Sequence, residues 1–287
     1  MQEIPKTDKI LLFSEMWYNM KISIITVCLN AETVIRKTID SVLNQTFSDF
    51  EYVIKDGGSK DRTLSIAQSY ESAFHDKGID FRITSCADTG PYDAMNQAVL
   101  LSRGEWVLFM NAGDWFVNPN VLAEIEKSGV LPSSDVVYGD VIQRNGVLYL
   151  YSRAAKNILL EMPFCHQSTL VRTSLLKKHP FSTRYKICAD QRFFLEMYLD
   201  KKRFSHLPFA VAVYDVDGLS SDRKRLLQEK MDILQEFGLA NNEIIRLLKK
   251  RERRRIMNQY IKRCIPVPVQ NGLRKRAGWK TEIENHE

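Results

Sequence analysis

Long apolar runs are absent from these 287 residues. None approaches the roughly 18 residues that span a bilayer. The N-terminal patch Ile10 to Phe13, with Glu15 close behind, is too short for a signal peptide. Cysteine is scarce: Cys28, Cys86, Cys165, Cys188 and Cys264 are odd in number, scattered and without a C-x-x-C. That excludes a disulfide framework and a thiolate zinc site, and points to a reducing, cytoplasmic setting. The five histidines show no H-x-x-x-H spacing, so no imidazole metal centre is indicated. The 13 glycines are too few for a collagenous chain. They form neither G-x-G-x-x-G nor G-x-x-x-x-G-K-[ST], so neither a dinucleotide fingerprint nor a P-loop is available to hold phosphate.

What is present is an ordinary globular composition, 44% hydrophobic and 26% charged, long enough for one large domain or two small ones. Charge is unevenly placed. The net charge is +6, yet Arg246 to Lys280 holds 13 Lys and Arg against one acid, Glu252, so the rest of the chain is net acidic. Whatever the positive charge binds, it binds at the C-terminal end.

Apolar, β-branched runs at Lys21 to Leu29, Phe50 to Ile54, Asp80 to Thr84 and Glu105 to Met110 read as strands. Helical spacing follows at Ala31 to Asn44, Asp61 to Tyr70 and Tyr92 to Ser102. This alternation implies β-α-β units and a mostly parallel sheet. Beyond residue 130 the pattern becomes mixed. Val136 to Gln143 and Val147 to Tyr151 form a hairpin about Arg144-Asn145-Gly146. Leu175 to Lys178 and Asp190 to Leu199 are helical, and Ala210 to Tyr214 is a late strand. Helices run from Asp222 to Phe237 and from Asn242 onward, with Gly238 as the C-cap between them. The expected organisation is an extension over 1–20, an α/β domain over 21–222 with halves meeting near 118, and a basic helical region over 223–287.

Ligands of open parallel sheets sit at the carboxyl ends of the strands. Here those ends carry Asp56, Asp88, Asp93 and Asp114. Taken singly, each is a residue that ends a strand or caps a helix; four on one rim favour a site. Carboxylates cannot hold phosphate directly, so a magnesium or manganese ion between them and a nucleoside diphosphate is the reading that fits.

The segments Ser23-Ile24-Ile25-Thr26-Val27, Asn30-Ala31-Glu32, Ser41 to Thr46, Asp56-Gly57-Gly58-Ser59-Lys60-Asp61 and Gly104-Glu105-Trp106 through Asp114 occur in order. Together they resemble the family 2 glycosyltransferases of GT-A fold. Tyr92-Asp93-Ala94-Met95-Asn96-Gln97 is similar to the subgroup that builds bacterial O-antigen, capsule and colanic-acid-type polysaccharides. The resemblance spans about Lys21 to Asp222. It implies a Rossmann-like nucleotide half beside a mixed acceptor half. It also implies inverting transfer of a sugar from a nucleotide donor, usually a UDP-sugar, to a lipid-linked saccharide.

Carried over residue by residue, the resemblance implies that Thr26, Asn30, Glu32 and Asp56 line the nucleotide pocket, with Asp93 and Gly113, and that Asp114 binds the metal. The chain departs from the family pattern at Gly57, where a second acid is common, and in Asn111-Ala112-Gly113-Asp114, where only one acid remains. Asp190 in Ala189-Asp190-Gln191-Arg192 matches the catalytic base. From the residues alone, Asp190 reads equally as a helix N-cap. His166 and Gln167 are placed at a pocket wall near the diphosphate or acceptor. A Cys165–His166 nucleophile pair is disfavoured, because adjacent residues face one another poorly.

Two rivals stand beside this reading. A sugar-phosphate nucleotidyltransferase needs a glycine-rich basic loop after its first strand, and Cys28 to Lys37 contains no glycine. A member that binds nucleotide sugar without catalysis is suggested by the thinned acidic motif. For the tail, apolar Ile244, Leu248, Met257 and Ile261 among basic residues fit an interfacial helix on an anionic membrane surface. A solvated arm is the alternative, and no nucleic-acid module is recognisable. The expected location is the inner face of the cell membrane.

Overall fold

The computed structural model describes residues 21–144, 148–151, 154–215 and 222–264. β1 (Ile22–Cys28) is buried at every position and forms a central strand. It leads into α1 (Ile35–Leu43), which buries Ile35, Thr38, Ile39 and Val42 on one stripe. β2 (Phe50–Asp56), α2 (Thr63–Gln68), α3 (Glu71–Asp76) and β3 (Asp80–Ser85) follow. α4 (Pro91–Leu101) starts with proline at its first position, where no N–H is needed. β4 (Trp106–Phe109), β5 (Trp115–Phe116) and α5 (Val121–Lys127) complete the first half.

The second half comprises β6 (Val136–Arg144), β7 (Leu148–Tyr151), β8 (Thr169–Arg172), α6 (Thr173–Lys178), α7 (Ala189–Leu199), β9 (Phe204–Asp215), α8 (Arg223–Glu236) and α9 (Asn242–Cys264). One sheet runs β3-β2-β1-β4-β8-β6-β9-β5, with β7 on β6. The β3-β2-β1-β4 part is parallel and carries the α/β half. From β4·β8 onward the pairing is mixed, with β6·β9 parallel and β6·β8 antiparallel. Alternating strand residues feed two cores. Ile24 and Leu108 pack toward α1, α3 and α5; Ile25, Val107 and Phe109 pack toward α4, α7 and α8.

The architecture agrees with the expected parallel half followed by a mixed half, and four details differ. α3, α5, β5 and β8 were not anticipated, because each is at most seven residues long, too short for its periodicity to stand out. β9 begins at Phe204, six residues before the expected start. Pro208 lies within a register shift, where β6 partners jump from Leu207 to Ala210, and a bulge accepts a residue with no ladder N–H. The expected β6–β7 pairing is present; its Asn145-Gly146 turn falls outside the described residues, as do the extension over 1–20 and the tail from 265.

Third, packing continues across the expected boundary at 222. Leu226 and Ile233 of α8 belong to the same core as α7. The fourth is α9. Leu248 and Glu252 are buried, and Arg251 Nη1 lies 3.5 Å from Glu161, so this helix is docked on the body and Leu248 is not available to a membrane. The side chain of Ile261 is outside the described residues. Gly238 closes α8 as expected, with Leu239 N donating to Leu234 O at 2.8 Å. Among the described residues no helix is long and apolar enough to cross a membrane.

Candidate active site

The loops after β1 and β2 are laced together at the strand ends. Asn30 takes a left-handed conformation, φ +50. Its N–H donates to Ser59 Oγ at 2.8 Å, and its Oδ1 accepts from Lys60 N at 2.9 Å. Glu32 Oε2 accepts from Arg62 N and Nε, and these bonds hold its carboxyl below the usual range.

Asp56 is 1% exposed. Its Oδ2 accepts from Gly58 N, Ser59 N and Ser85 Oγ, and its Oδ1 accepts from Ser59 Oγ. Burial works to raise this carboxyl, but the four donors outweigh it and the net shift is downward. The carboxylate expected to face base and ribose is thus braced by its own loop. Thr26 lies on β1 beneath the same rim. It is fully buried and shares its hydroxyl with Tyr52 Oη and Met110 O, so it shapes the rim from below.

Gly57 stands where a second acid is common. A Cβ there would lie 2.8 Å from Asp88 Oδ2, an oxygen already paired at 3.0 Å with the fully buried Lys55 Nζ. Lys55 also donates to Cys86 O and Asp56 O, so this buried charge is paired and satisfied. Asp93 accepts from Thr89 N and Oγ1, bracing the entry to α4. Its lowered carboxyl follows first from that backbone bond.

On the mixed half, Asp190 is the second residue of α7, with Cys188 in the capping position. Asp190 is therefore not the N-cap residue, although its Oδ1 also accepts from Gln191 N in the first turn at 2.7 Å. Asp190 Oδ1 lies 3.1 Å from Tyr92 Oη, and Oδ2 lies 3.4 Å from His166 Nδ1. His166 Nε2 faces Asn111 Nδ2 at 3.0 Å. The two ring nitrogens of His166 thus face Asn111 on one side and Asp190 on the other. A carboxylate from α7, an imidazole from the turn before β8 and an amide from the loop after β4 therefore form one line. Gln167 is half-buried beside it. Burial, reinforced by Asp190 and Asp114, pushes the Cys165 thiol up to about 12, which removes it as a nucleophile.

Gly113 has φ +100 and donates its N–H to Thr38 Oγ1 at 3.0 Å. A side chain would be strained there, so the missing acid at 113 reflects the turn itself. The turn places Asp114 at 8% exposure, its N–H on Asn111 O. Among the described residues no three His, Cys, Asp or Glu gather to hold a metal. The loop instead offers two hard oxygens, the Asp114 carboxylate and Asn111 Oδ1, which is buried without a hydrogen-bond partner. That donor set fits an ion that completes its shell with a substrate's phosphates.

Sequence reasoning did not single out Tyr92, Asn111 or Lys55. Lys55 left a trace as the one lysine in a largely apolar strand run. Tyr92 and Asn111 lay within noted motifs, but only tertiary packing brings them to Asp190 and His166.

The comparisons with known proteins agree with this geometry. The model of "Glycosyl transferase family 2" matches residues 23–194. A PGL/p-HBAD biosynthesis glycosyltransferase of Mycobacterium bovis is 36% identical over 207 residues, covering 69% of this chain and 78% of that protein. A poly(ribitol-phosphate) beta-glucosyltransferase of Bacillus spizizenii is 27% identical over 197 residues, 65% of this chain and 31% of that one. In structure, S. aureus TarS 1-349 in complex with UDP superposes with a TM-score of 0.63 at 24% identity, over 81% of this chain and 71% of that chain. The mannosyltransferase PcManGT from Pyrobaculum calidifontis, in complex with GDP-Man and Mn2+, gives 0.60 at 17% identity, over 81% and 72%. A GT-A sheet with these motifs on its rim and a model match over more than half its length places the chain in glycosyl transferase family 2.

Proposed function

We propose that the protein transfers a sugar from a UDP-sugar to a lipid-linked saccharide, with inversion, in the assembly of a cell-surface polysaccharide of the O-antigen or capsule kind. The observation that carries the reading is the carboxylate of Asp190, held at the mouth of the sheet between Tyr92 and His166. An acceptor hydroxyl oxygen attacks the anomeric carbon, its proton passes to Asp190, and the nucleoside diphosphate leaves from the opposite face of the sugar. His166, whose Nδ1 faces Asp190 Oδ2, orients the base.

The relative named for poly(ribitol-phosphate) glucosylation and the neighbour bound to UDP support the polymer acceptor and the uridine donor. Asn30, Glu32, Asp93 and Gly113 are assigned to the nucleotide side. Asp114, with Asn111 Oδ1, is assigned to a magnesium or manganese ion, which when bound offsets the charge gathered by the departing diphosphate. The exposed basic face of α9 is assigned to anionic lipid at the inner face of the membrane.

A screen of UDP-, GDP- and dTDP-sugars for thermal stabilisation, with and without manganese, tests the donor, since a ligand of the native state raises apparent stability. Stabilisation by a UDP-sugar, followed by release of UDP when an acceptor is added, is the expected result. Binding without release of UDP would favour the non-catalytic alternative, which the single acid of the 111–114 turn motivates.

A further inference from the structure

We infer that Glu229, on α8 and outside every motif of the family match, is a positioning residue for the base Asp190. The inference rests on the reading of Asp190 given above. Glu229 is 6% exposed, and a buried carboxylate is costly unless its lone pairs are used. Here they are used on one short segment. Oε1 accepts from Lys186 N at 2.9 Å; Oε2 accepts from Ile187 N at 2.9 Å and from Cys188 N at 3.0 Å. Arg225 Nε, one helical turn back, donates to Oε1 at 3.0 Å.

Three consecutive backbone N–H groups thus converge on one side chain immediately before α7. A helix N-terminus presents N–H groups with no partner inside the helix and favours negative charge. Glu229 supplies both the acceptor and the charge from a neighbouring helix. Burial acts to raise its carboxyl, but the three N–H groups and Arg225 outweigh it and hold it low, so it is ionised wherever the protein is folded near neutrality.

The segment is gripped from its other side as well. Tyr92 Oη lies 2.8 Å from Ile187 O and 3.1 Å from Asp190 Oδ1. The Ile187 residue is therefore fixed at its N–H by α8 and at its carbonyl by α4, three positions before the base. Further along the same face of α8, Glu236 accepts from Tyr185 Oη at 2.6 Å and pairs with Arg192. Leu226, Glu229, Ile233 and Glu236 recur at spacings of three and four, so one stripe of α8 clamps both flanks of Asp190. A displacement of about 1 Å in a reacting group costs on the order of 100-fold in rate, which is the scale on which such a clamp acts.

The experiment is a double-mutant cycle in the full chain. Glu229→Gln keeps the size but presents one carbonyl oxygen and an NH2 to three donors. Glu229→Asp keeps the charge and withdraws it by one methylene. Glu229→Gln is expected to lower kcat by about 10- to 100-fold while the donor KM and calorimetric UDP affinity stay unchanged, with Glu229→Asp between it and the parent. In an Asp190→Asn background the same change should cost nothing further, because residues that act as one unit are not additive. Multiplying losses in that background, an unchanged kcat, or loss of UDP binding together with turnover would each overturn the proposal. Normal turnover by Asp190→Asn alone would instead remove the base assignment, and so identify that reading as the one that failed.

Discussion

His166 Nδ1 lies 3.4 Å from Asp190 Oδ2, while Nε2 of the same ring lies 3.0 Å from Asn111 Nδ2. The ring is thus a spacer between the loop assigned to the donor and the carboxylate assigned to the acceptor. The Tyr92 hydroxyl meets the other oxygen of Asp190. Burial first, and the Asp190 charge second, push that phenol well above its ordinary range, so Tyr92 stays protonated and can only stabilise the carboxylate.

Asp190→Asn keeps the shape and removes the basicity. It should lower transfer by about 10²–10⁴-fold, the usual contribution of a general base. Donor binding measured by calorimetry should be unchanged, because the base meets the acceptor and not the nucleotide. An Asp190→Asn protein that is active at near-normal rate would end the assignment.

Asp114→Asn tests the ion. The turn needs the N–H of residue 114, which the variant keeps, so the fold should hold. The manganese concentration for half-maximal turnover should rise by at least about tenfold, by analogy with the loss of groups that merely support a metal ligand. Titration of manganese against UDP release makes the measurement, and an unchanged midpoint would take Asp114 out of the metal site.

The sequence made some of this visible and concealed the rest, for physical reasons. β1 and β2 were legible because strands buried on both faces are dominated by β-branched, aromatic and other apolar residues, and Asp56-Gly57-Gly58 marks an abrupt end. β9 was read short because Pro208 looks like a terminator until a bulge in β9 itself absorbs it. The direction of a side chain was not legible. Thr26 and Asp56 sit where the family motif puts them, yet one is sealed beneath Met110 and Tyr52 and the other is consumed by its own turn. The Tyr92–Asp190 contact joins residues 98 apart in the chain, a separation that no local pattern encodes. Glu229 left a weaker sign, a charged residue on the apolar stripe of Leu226 and Ile233.

Asp56→Asn tests the role now given to that residue. The variant must put an NH2 in place of one of the two accepting oxygens, against Ser59 Oγ or against Gly58 N, Ser59 N and Ser85 Oγ, and it loses the charge these donors stabilise, at about 1–3 kcal/mol. The sign with pH follows from the lowered carboxyl. A group whose folded pKa is below its unfolded value contributes stability above the unfolded pKa, about 3.9 for Asp, and loses it as pH falls through the folded value. The gap between parent and variant should be constant from pH 7 to about pH 5 and narrow below about pH 4. Denaturant melts at pH 7, 5 and 3 make the comparison, and a gap that did not narrow would mean the carboxylate charge is not what the turn uses.

The basic tail gives the last prediction, and the docking of α9 changes how it must be tested. Removing the chain from Ile244 would strip buried Leu248 and Glu252 and the Arg251–Glu161 pair from the body, so loss of vesicle binding could follow from damage alone. Arg246, Lys249, Lys250, Arg253 and Arg254 are exposed on the same helix and can be exchanged for glutamine without touching that docked face. Each Lys or Arg near an anionic surface contributes about 1 kcal/mol. The attraction fades as salt shortens the screening length from about 10 Å at 0.1 M to about 3 Å at 1 M. The parent should therefore bind vesicles rich in phosphatidylglycerol, ignore phosphatidylcholine and be released by high salt. The five-glutamine variant should partition at least about tenfold less, with UDP affinity and melting temperature unchanged. Equal partition of the two proteins at low salt would mean that the exposed face of α9 is a solvated surface and that the lipid-linked acceptor is reached by some other part of the chain.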